Sequence, residues 1–380
     1  MKIIVSKNSL EVAVKNLVKV INPKNALPIL NNILFDVIEK AKVARLMASD
    51  SEVTLCYEVP LDECEGGGRF CVGAQTLVAM MAEVSEQPLT ITATTESDMK
   101  FTMIYAQGSA FCQIENADEY PIPTAEEYNE KVDGLRGDWL RDALKRSLWA
   151  TADDDLRPIM EGINFALVDG CLDVVASDGH LMVKSHKPYA DKIEMNRCGS
   201  FIMPKKAAKV LIDIIKTCDY VNIEWNNCNA HIDLFQTNIY FRLIEGKYPN
   251  YNSIIPTDYA HDVSCQRAAI LSALKAVAPF APDTSQLLSL TFDGEVLDVE
   301  GLDYDFAQGA KKTISTEGFE GDLLAIGVKA SSIIGMLSKL SALEVLLKLN
   351  DPSHAIIIEP IDDENDEEIT GLIMPMLIND

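Results

Sequence analysis

Four consecutive residues, Ser177-Asp178-Gly179-His180, bring together a hydroxyl, a carboxylate and an imidazole, the side chains of nucleophilic hydrolysis. Adjacent residues on a hairpin cannot form a nucleophile–base–orienter relay, which needs groups converging from separate segments. Asp-Gly is first a turn signal. Gly66-Gly67-Gly68 lacks the Lys-Ser/Thr of a phosphate cradle and is expected to be a loop. The acidic run Asp362 to Glu368 has no calcium-loop spacing and is expected to be a solvated hairpin tip. Nine cysteines, scattered from Cys56 to Cys265 without a Cys-x-x-Cys pair, fit reduced, mostly buried small hydrophobes rather than metal ligands or disulfides. No catalytic, metal or cofactor site is therefore expected.

The elements that carry these residues recur. Leu27-Pro28-Ile29-Leu30, Ile33-Leu34-Phe35 and Ala48-Ser49-Asp50 return as Arg157-Pro158-Ile159-Met160, Ile163-Asn164-Phe165 and Ala176-Ser177-Asp178. A fainter third copy is Leu287 to Phe292, followed by the alternating strand Glu295 to Val299. Gly68-Arg69-Phe70-Cys71-Val72, Gly199-Ser200-Phe201-Ile202-Met203 and Gly321-Asp322-Leu323-Leu324 each open a strand and then a helix. Phe111 leads to Glu119-Tyr120-Pro121 as Phe241 leads to Lys247-Tyr248-Pro249. The period of about 130 residues is too long for a solenoid, so each unit is a domain. Proline punctuates the boundaries at Pro121-Ile122-Pro123-Thr124 and Pro256-Thr257-Asp258. This gives domains over 1–122, 123–255 and 256–380.

Within a unit the order is strand, helix, alternating strands, helix, more strands. The first strand spans Lys2 to Val5, and Asn8 with Glu11 is expected to cap the helix bearing Leu10, Ala13, Val14, Leu17 and Ile21. Pro204 is expected in the first turn of a helix running through Lys216. Two helices on one face of antiparallel sheet make an α+β domain. No apolar run approaches the roughly 18 residues of a membrane helix. The amino-terminal stretch meets Lys7 and Glu11 too early for a signal peptide, so a cytoplasmic protein is expected.

The formal charge of −25 excludes a protein that blankets nucleic acid with positive surface. The positive residues are nevertheless concentrated on helices: Lys15, Lys19 and Lys24 in unit one; Arg141, Lys145, Arg146, Lys205, Lys206, Lys209 and Lys216 in unit two; Arg267, Lys275, Lys329 and Lys339 in unit three. Five of six helices are expected to be net basic, the exception following Val72, where Gln75 and Thr76 stand. The acidic residues then fall on strands and loops, as in Asp153-Asp154-Asp155. Such segregation suits a ring whose helices line a hole and touch phosphates without reading bases. On the residues alone, a metal-dependent nuclease and a repeat-built peptide scaffold remain alternatives.

Over essentially its whole length the chain resembles the bacterial sliding clamps, the beta subunits of DNA polymerase III. Leu27 to Leu30, Ala176 to His180, Phe201 to Lys206, Lys247 to Tyr251 and the closing Met374-Pro375-Met376 carry the resemblance. It implies three similar domains of the clamp fold, a head-to-tail homodimer closing a six-domain ring, and a processivity role on duplex DNA without catalysis. It also implies an apolar pocket for short peptide motifs of polymerases, the clamp loader and repair proteins. The matching wall is Met160, Ser177, Gly179, His180, Leu181, Met182, Pro249, Ser253, Ile254, Ser353, Ala355, Leu372, Ile373, Met374, Pro375 and Met376. Leu181 and Ser253 stand where arginine is frequent in the family, and Leu377 to Asp380 replace a short Arg-Leu ending. Lys24 and Arg157 match family positions that touch DNA, while Phe111 and Phe280 fall at or near the dimer contact.

Overall fold

A computed structural model of the chain describes residues 1–22, 24–25, 27–95, 99–123, 127–154, 156–189, 199–217, 219–361 and 367–378. Asp155, Thr124, Asp362 to Asp366 of the acidic run, and the last two residues lie outside them.

Lys2–Ser6 is a strand that runs directly into helix α1, Lys7–Leu17. The cap is Ser6, whose hydroxyl accepts from Ser9 N at 3.5 Å, rather than the expected Asn8. Glu11, freed from capping, lies between Lys7 at 2.9 Å and Lys15 at 3.0 Å, each one turn away. The other helices are α2 (Ala74–Met81), α3 (Gly137–Ala150), α4 (Lys205–Ile214), α5 (Arg267–Val277) and α6 (Ala330–Lys339). Pro204 falls just before α4 instead of inside it. Lys216 lies in the 3-10 turn Ile215–Thr217 that follows.

Each repeat presents strand, helix, a run of strands, helix and three more strands, as the sequence suggests. Two compact units arise from the three repeats: residues 1–141 with 206–243, and 142–205 with 244–380. In the first, thirteen strands form one sheet, in which Thr237–Arg242 of the second repeat pairs antiparallel with Val53–Pro60 of the first, Ile239 opposite Leu55. In the second, an eight-stranded sheet pairs Leu181–Pro188 of the second repeat with Glu368–Ile373 of the third, Met182 opposite Leu372. The remaining sheet has four strands and ends on Gln308–Ser315.

The cores explain why two copies are plain in the sequence and one is faint. Phe35 faces Phe70 on the adjacent strand, the rings stacked at 5.1 Å, and Phe165 faces Phe201 in the same way at 4.8 Å. Offset stacking adds about 0.5–1.5 kcal/mol to each pair beyond burial. In the third repeat Phe292 faces Leu324, and Phe319, from outside these strands, supplies the second ring at 5.8 Å. The motif is preserved in space but not in register.

The cysteines are less uniformly buried than expected. Of the described ones, Cys56, Cys71 and Cys265 are buried, Cys64, Cys112 and Cys171 are half-buried, and Cys228 is exposed. Burial pushes the thiols of Cys56, Cys71 and Cys265 up to about 12.

Gly335, in the interior of α6, gives a test of the packing. A Cβ placed there would lie 2.2 Å from the Trp149 indole. Helix propensity alone favours alanine over glycine by about 1 kcal/mol, but overpacking costs about 1–3 kcal/mol. Gly335→Ala is therefore expected to lower the denaturation midpoint. A rise would show that the indole moves aside freely.

Candidate functional site

In the second unit the Ser-Asp-Gly-His segment is a turn, and its hydrogen bonds show what the residue types are for. Ser177 Oγ donates to Leu181 O at 2.8 Å and accepts from Gly179 N at 3.1 Å. Asp178 Oδ1 accepts from His180 N and Leu181 N at 2.7 and 2.8 Å. Gly179 sits at φ +91°, where a side chain is strained. The hydroxyl and carboxylate are thus spent on the local backbone, as the turn reading requires.

Beneath this turn lies an apolar cluster of Val175, Met182, Ile202, Tyr248, Tyr251, Ala355, Ile357 and Leu372. Leu181 and Ile373 are buried beside it, and Met160 is half-buried. His180, Pro249, Ser253 and Ser353 are exposed above, with Pro375 and Met376 half-buried. Ile254 and Met374 are 52% and 44% exposed, whereas Met182 and Leu372 are buried in the cluster. Met374 N donates to His180 O at 2.8 Å, fixing the closing segment against the turn. Ser353 is held by Asp351, which accepts from its N and Oγ and from His354, keeping that carboxyl well below its ordinary range.

The cluster rests on a polar network that sequence reasoning missed. Buried Asp173 accepts Tyr251 OH at 2.7 Å and contacts His186 Nδ1 at 2.5 Å and Lys184 Nζ at 3.3 Å. Burial pushes its carboxyl up, but His186, Tyr251 and Lys184 together outweigh burial and hold it below the usual range. Burial and this carboxylate push the Tyr251 phenol the other way, above its ordinary value. The available signal was an aspartate inside the apolar run Leu172 to Ala176.

Counted over the observed bounds, α1 is +1 (two Lys less one Glu), α3 +1 (three basic less two Asp), α4 +2 (three Lys less one Asp), α5 +2, α6 +1 and α2 zero. Five of six helices are net basic, α2 being the exception. Many of these cations are already paired. Lys15 meets Glu11 at 3.0 Å, Lys19 meets Asp213 at 2.8 Å and Lys145 meets Asp142 at 3.0 Å. Lys205 pairs with Asp153 and Lys206 with Asp50. The exposed pairs among these are worth only about 0.2–1 kcal/mol, so a phosphate can compete for the lysine cheaply, whereas the Asp50 carboxylate that holds Lys206 is only 7% exposed. Lys24 and Lys209 are exposed and make no ion pair among the described residues, and Arg141 is half-buried.

One of the expected DNA contacts is corrected, and a second makes further contacts. Arg146 is buried, its guanidinium bonded to Glu367 and to Ser185 Oγ at 3.1 and 3.2 Å, so it cannot lie against a phosphate. Arg157 pairs with Asp154 at 3.0 Å, reaches the Met160 sulfur at 3.8 Å and lies where a Cβ on Gly179 would meet its Nη1 at 2.6 Å. Its side chain is 43% exposed and adjoins the turn at Gly179, so it stays open to a phosphate.

Of the expected dimer residues, Phe111 projects from strand Gly108–Glu115, 67% exposed, beneath the Lys100 ammonium at 4.2 Å. Phe280 ends the 3-10 turn Ala278–Phe280, which packs on Gln308–Ser315.

Compared with known families, the chain matches the DNA polymerase III beta subunit three times: its N-terminal domain over residues 1–124, its central domain over 134–250 and its C-terminal domain over 252–377. It is 23% identical to the beta sliding clamp of Haemophilus influenzae over 381 residues, covering 99% of this chain and 100% of that one. To the beta sliding clamp of Halalkalibacterium halodurans it is 22% identical, covering 92% and 93%. Among solved structures, a DNA polymerase sliding clamp from Pseudomonas aeruginosa superimposes over 100% of both chains with a TM-score of 0.91 at 20% identity. The Helicobacter pylori beta clamp bound to a DNA ligase peptide does so over 100% of both chains with a TM-score of 0.87 at 22% identity. The chain belongs to the DNA polymerase III beta-subunit family. Its role is that of a DNA sliding clamp, a processivity factor rather than the catalyst.

Proposed function

We propose that two copies of this chain close a six-domain ring around duplex DNA, in the cytoplasm, and hold polymerase and other replication and repair proteins through the apolar site. The observation that carries this reading is a pair of unfinished sheet edges. Within the chain, Val53–Pro60 meets Thr237–Arg242, and Leu181–Pro188 meets Glu368–Ile373. The third strand of this type, Gln308–Ser315, ends its sheet, and residues 108–113 of Gly108–Glu115 pair on one side only among the described residues. Both strands carry the same alternation of exposed and half-buried positions. Joining them between copies repeats the two internal seams, removes both edges and obeys head-to-tail closure. Phe111, and Phe280 beside the second strand, belong to this seam, and the domain boundaries fall near 122 and 255.

On this reading Lys15, Lys19, Lys24, Arg141, Lys145, Arg157, Lys205, Lys206 and Lys209 face the duplex and contact phosphates without sequence preference. The apolar site takes a short motif with one large apolar anchor over Met182 and Leu372, between Ile254 and Met374. The ligase peptide carried by the Helicobacter pylori clamp supports peptide capture. Leu181 and Ser253 stand in place of two of the family's frequent arginines, so acidic flanks on the motif contribute less than in relatives.

The test is retention. The protein should stay on closed circular DNA and leave when the circle is cut. Met374→Asp, at an exposed position, should keep that retention while weakening binding of a polymerase-derived peptide by about tenfold or more, as loss of 1.5–3 kcal/mol of apolar contact requires. Equal retention on linear DNA would refute the ring, and undiminished peptide binding in calorimetry would refute the pocket.

A further inference from the structure

A second recess, of about 760 Å³, lies within the first unit and shares no residue with the apolar site described above. It is bounded by the start of α1, the end of strand Val53–Pro60, the start of strand Tyr220–Trp225 and the hairpin 233–237. Its apolar side chains face solvent: Val12 is 49%, Tyr220 64% and Phe235 88% exposed. Phe235 is held at φ +74°, a conformation that bulky residues rarely adopt. Its backbone N donates to Asp233 Oδ1 at 2.9 Å, and Glu58 N donates to Gln236 O at 2.8 Å, so the hairpin keeps the ring presented outward.

The charged residues that line the recess itself are all acidic, although Asp219 and Tyr220 also border an adjoining recess lined by Arg136, Arg141 and Lys216. Glu58, Asp219 and Asp233 line it, and no lysine, arginine or histidine does. Glu58 is partly neutralised by Arg45 at 2.8 Å, whereas Asp219 makes no ion pair among the described residues. The carboxylates do not converge as metal ligands: no cluster able to hold a metal occurs among the described residues. Exposed aromatic faces beside carboxylates suit arginine, which stacks on a ring and pairs with an acid at once.

We propose that this groove docks a basic segment of a partner protein. One apolar side chain of that segment sits against Val12, Tyr220 and Phe235, and flanking arginine or lysine side chains meet Glu58, Asp219 and Asp233. The proposal is independent of the ring and of the apolar site.

An amidated dodecapeptide of alternating arginine and leucine serves as the probe, with a twin carrying glutamate in place of arginine. In calorimetry the first should bind the full-length protein saturably, once per chain, and the twin should not bind. Phe235→Gly and Asp219→Asn should each weaken binding at least tenfold. Glycine accepts the positive φ, so Phe235→Gly should not lower the thermal transition. Equal affinity for both variants would show that the peptide is held only by the chain's general negative charge, overturning the proposal. Loss of binding accompanied by a lowered transition in both variants would count against it as well.

Discussion

Replacing Arg146 by methionine is expected to destabilise the second unit by about 3–5 kcal/mol, the usual cost of removing one partner from a buried ion pair. The side chains of Arg146 and Glu367 are 8% and 4% exposed, so the abandoned carboxylate has little access to water. For a unit of this size 1 kcal/mol corresponds to roughly 2–4 °C, and the thermal transition should fall by roughly 10 °C. Arg146→Met combined with Glu367→Leu should recover most of the loss, because an apolar pair of similar volume avoids desolvation altogether. That double variant should also remain on circular DNA as well as the parent. Loss of retention with stability restored would return Arg146 to the DNA-facing set.

Asp173→Asn is expected to cost about 3 kcal/mol at neutral pH, by leaving Lys184 and His186 without their shared buried carboxylate. Tyr251 would keep a weaker acceptor, so the cluster should loosen and peptide binding should weaken with it. The carboxyl is depressed in the folded state, so its contribution is complete above the unfolded value of about 3.9 and fades as pH falls through the folded one. The stability difference between parent and variant should therefore be largest near pH 7 and shrink below about pH 4. Denaturation midpoints measured across that range check the sign. A difference independent of pH would mean that the carboxylate charge is not what the site uses.

The repeat made the fold legible. Gly-x-Phe at the start of a strand and Ser-Asp at the end of another recur because each marks an unavoidable geometry: an aromatic stack between neighbouring strands and a tight turn. The third copy faded because Phe319 supplies its ring from outside the paired strands, which no spacing rule detects. The α1 cap was misplaced because Asn8 and Glu11 satisfy the pattern locally, while the preceding strand leaves Ser6 at the junction. Arg146 was grouped with Lys145 by adjacency, yet neighbours on a helix point about 100° apart, and its turn-mates Ala143 and Ala150 are buried. Arg157 could not be placed from sequence, since its contact with Gly179 joins two different turns. The residues expected at the apolar site lie in one unit, but which of them are buried and which are open depends on strand pairing between distant segments.

The three sealed thiols have a use as clocks. A thiol raised to about 12 carries almost no thiolate at neutral pH, and burial leaves it little access to a reagent. Cys56 and Cys71 sit on different strands of the first repeat and Cys265 on the first strand of the third. Alkylation at each should therefore be slow until its own strand opens. Pulse labelling followed by mass measurement would time the opening of the first and third repeats separately, in the unmodified protein and without an introduced probe.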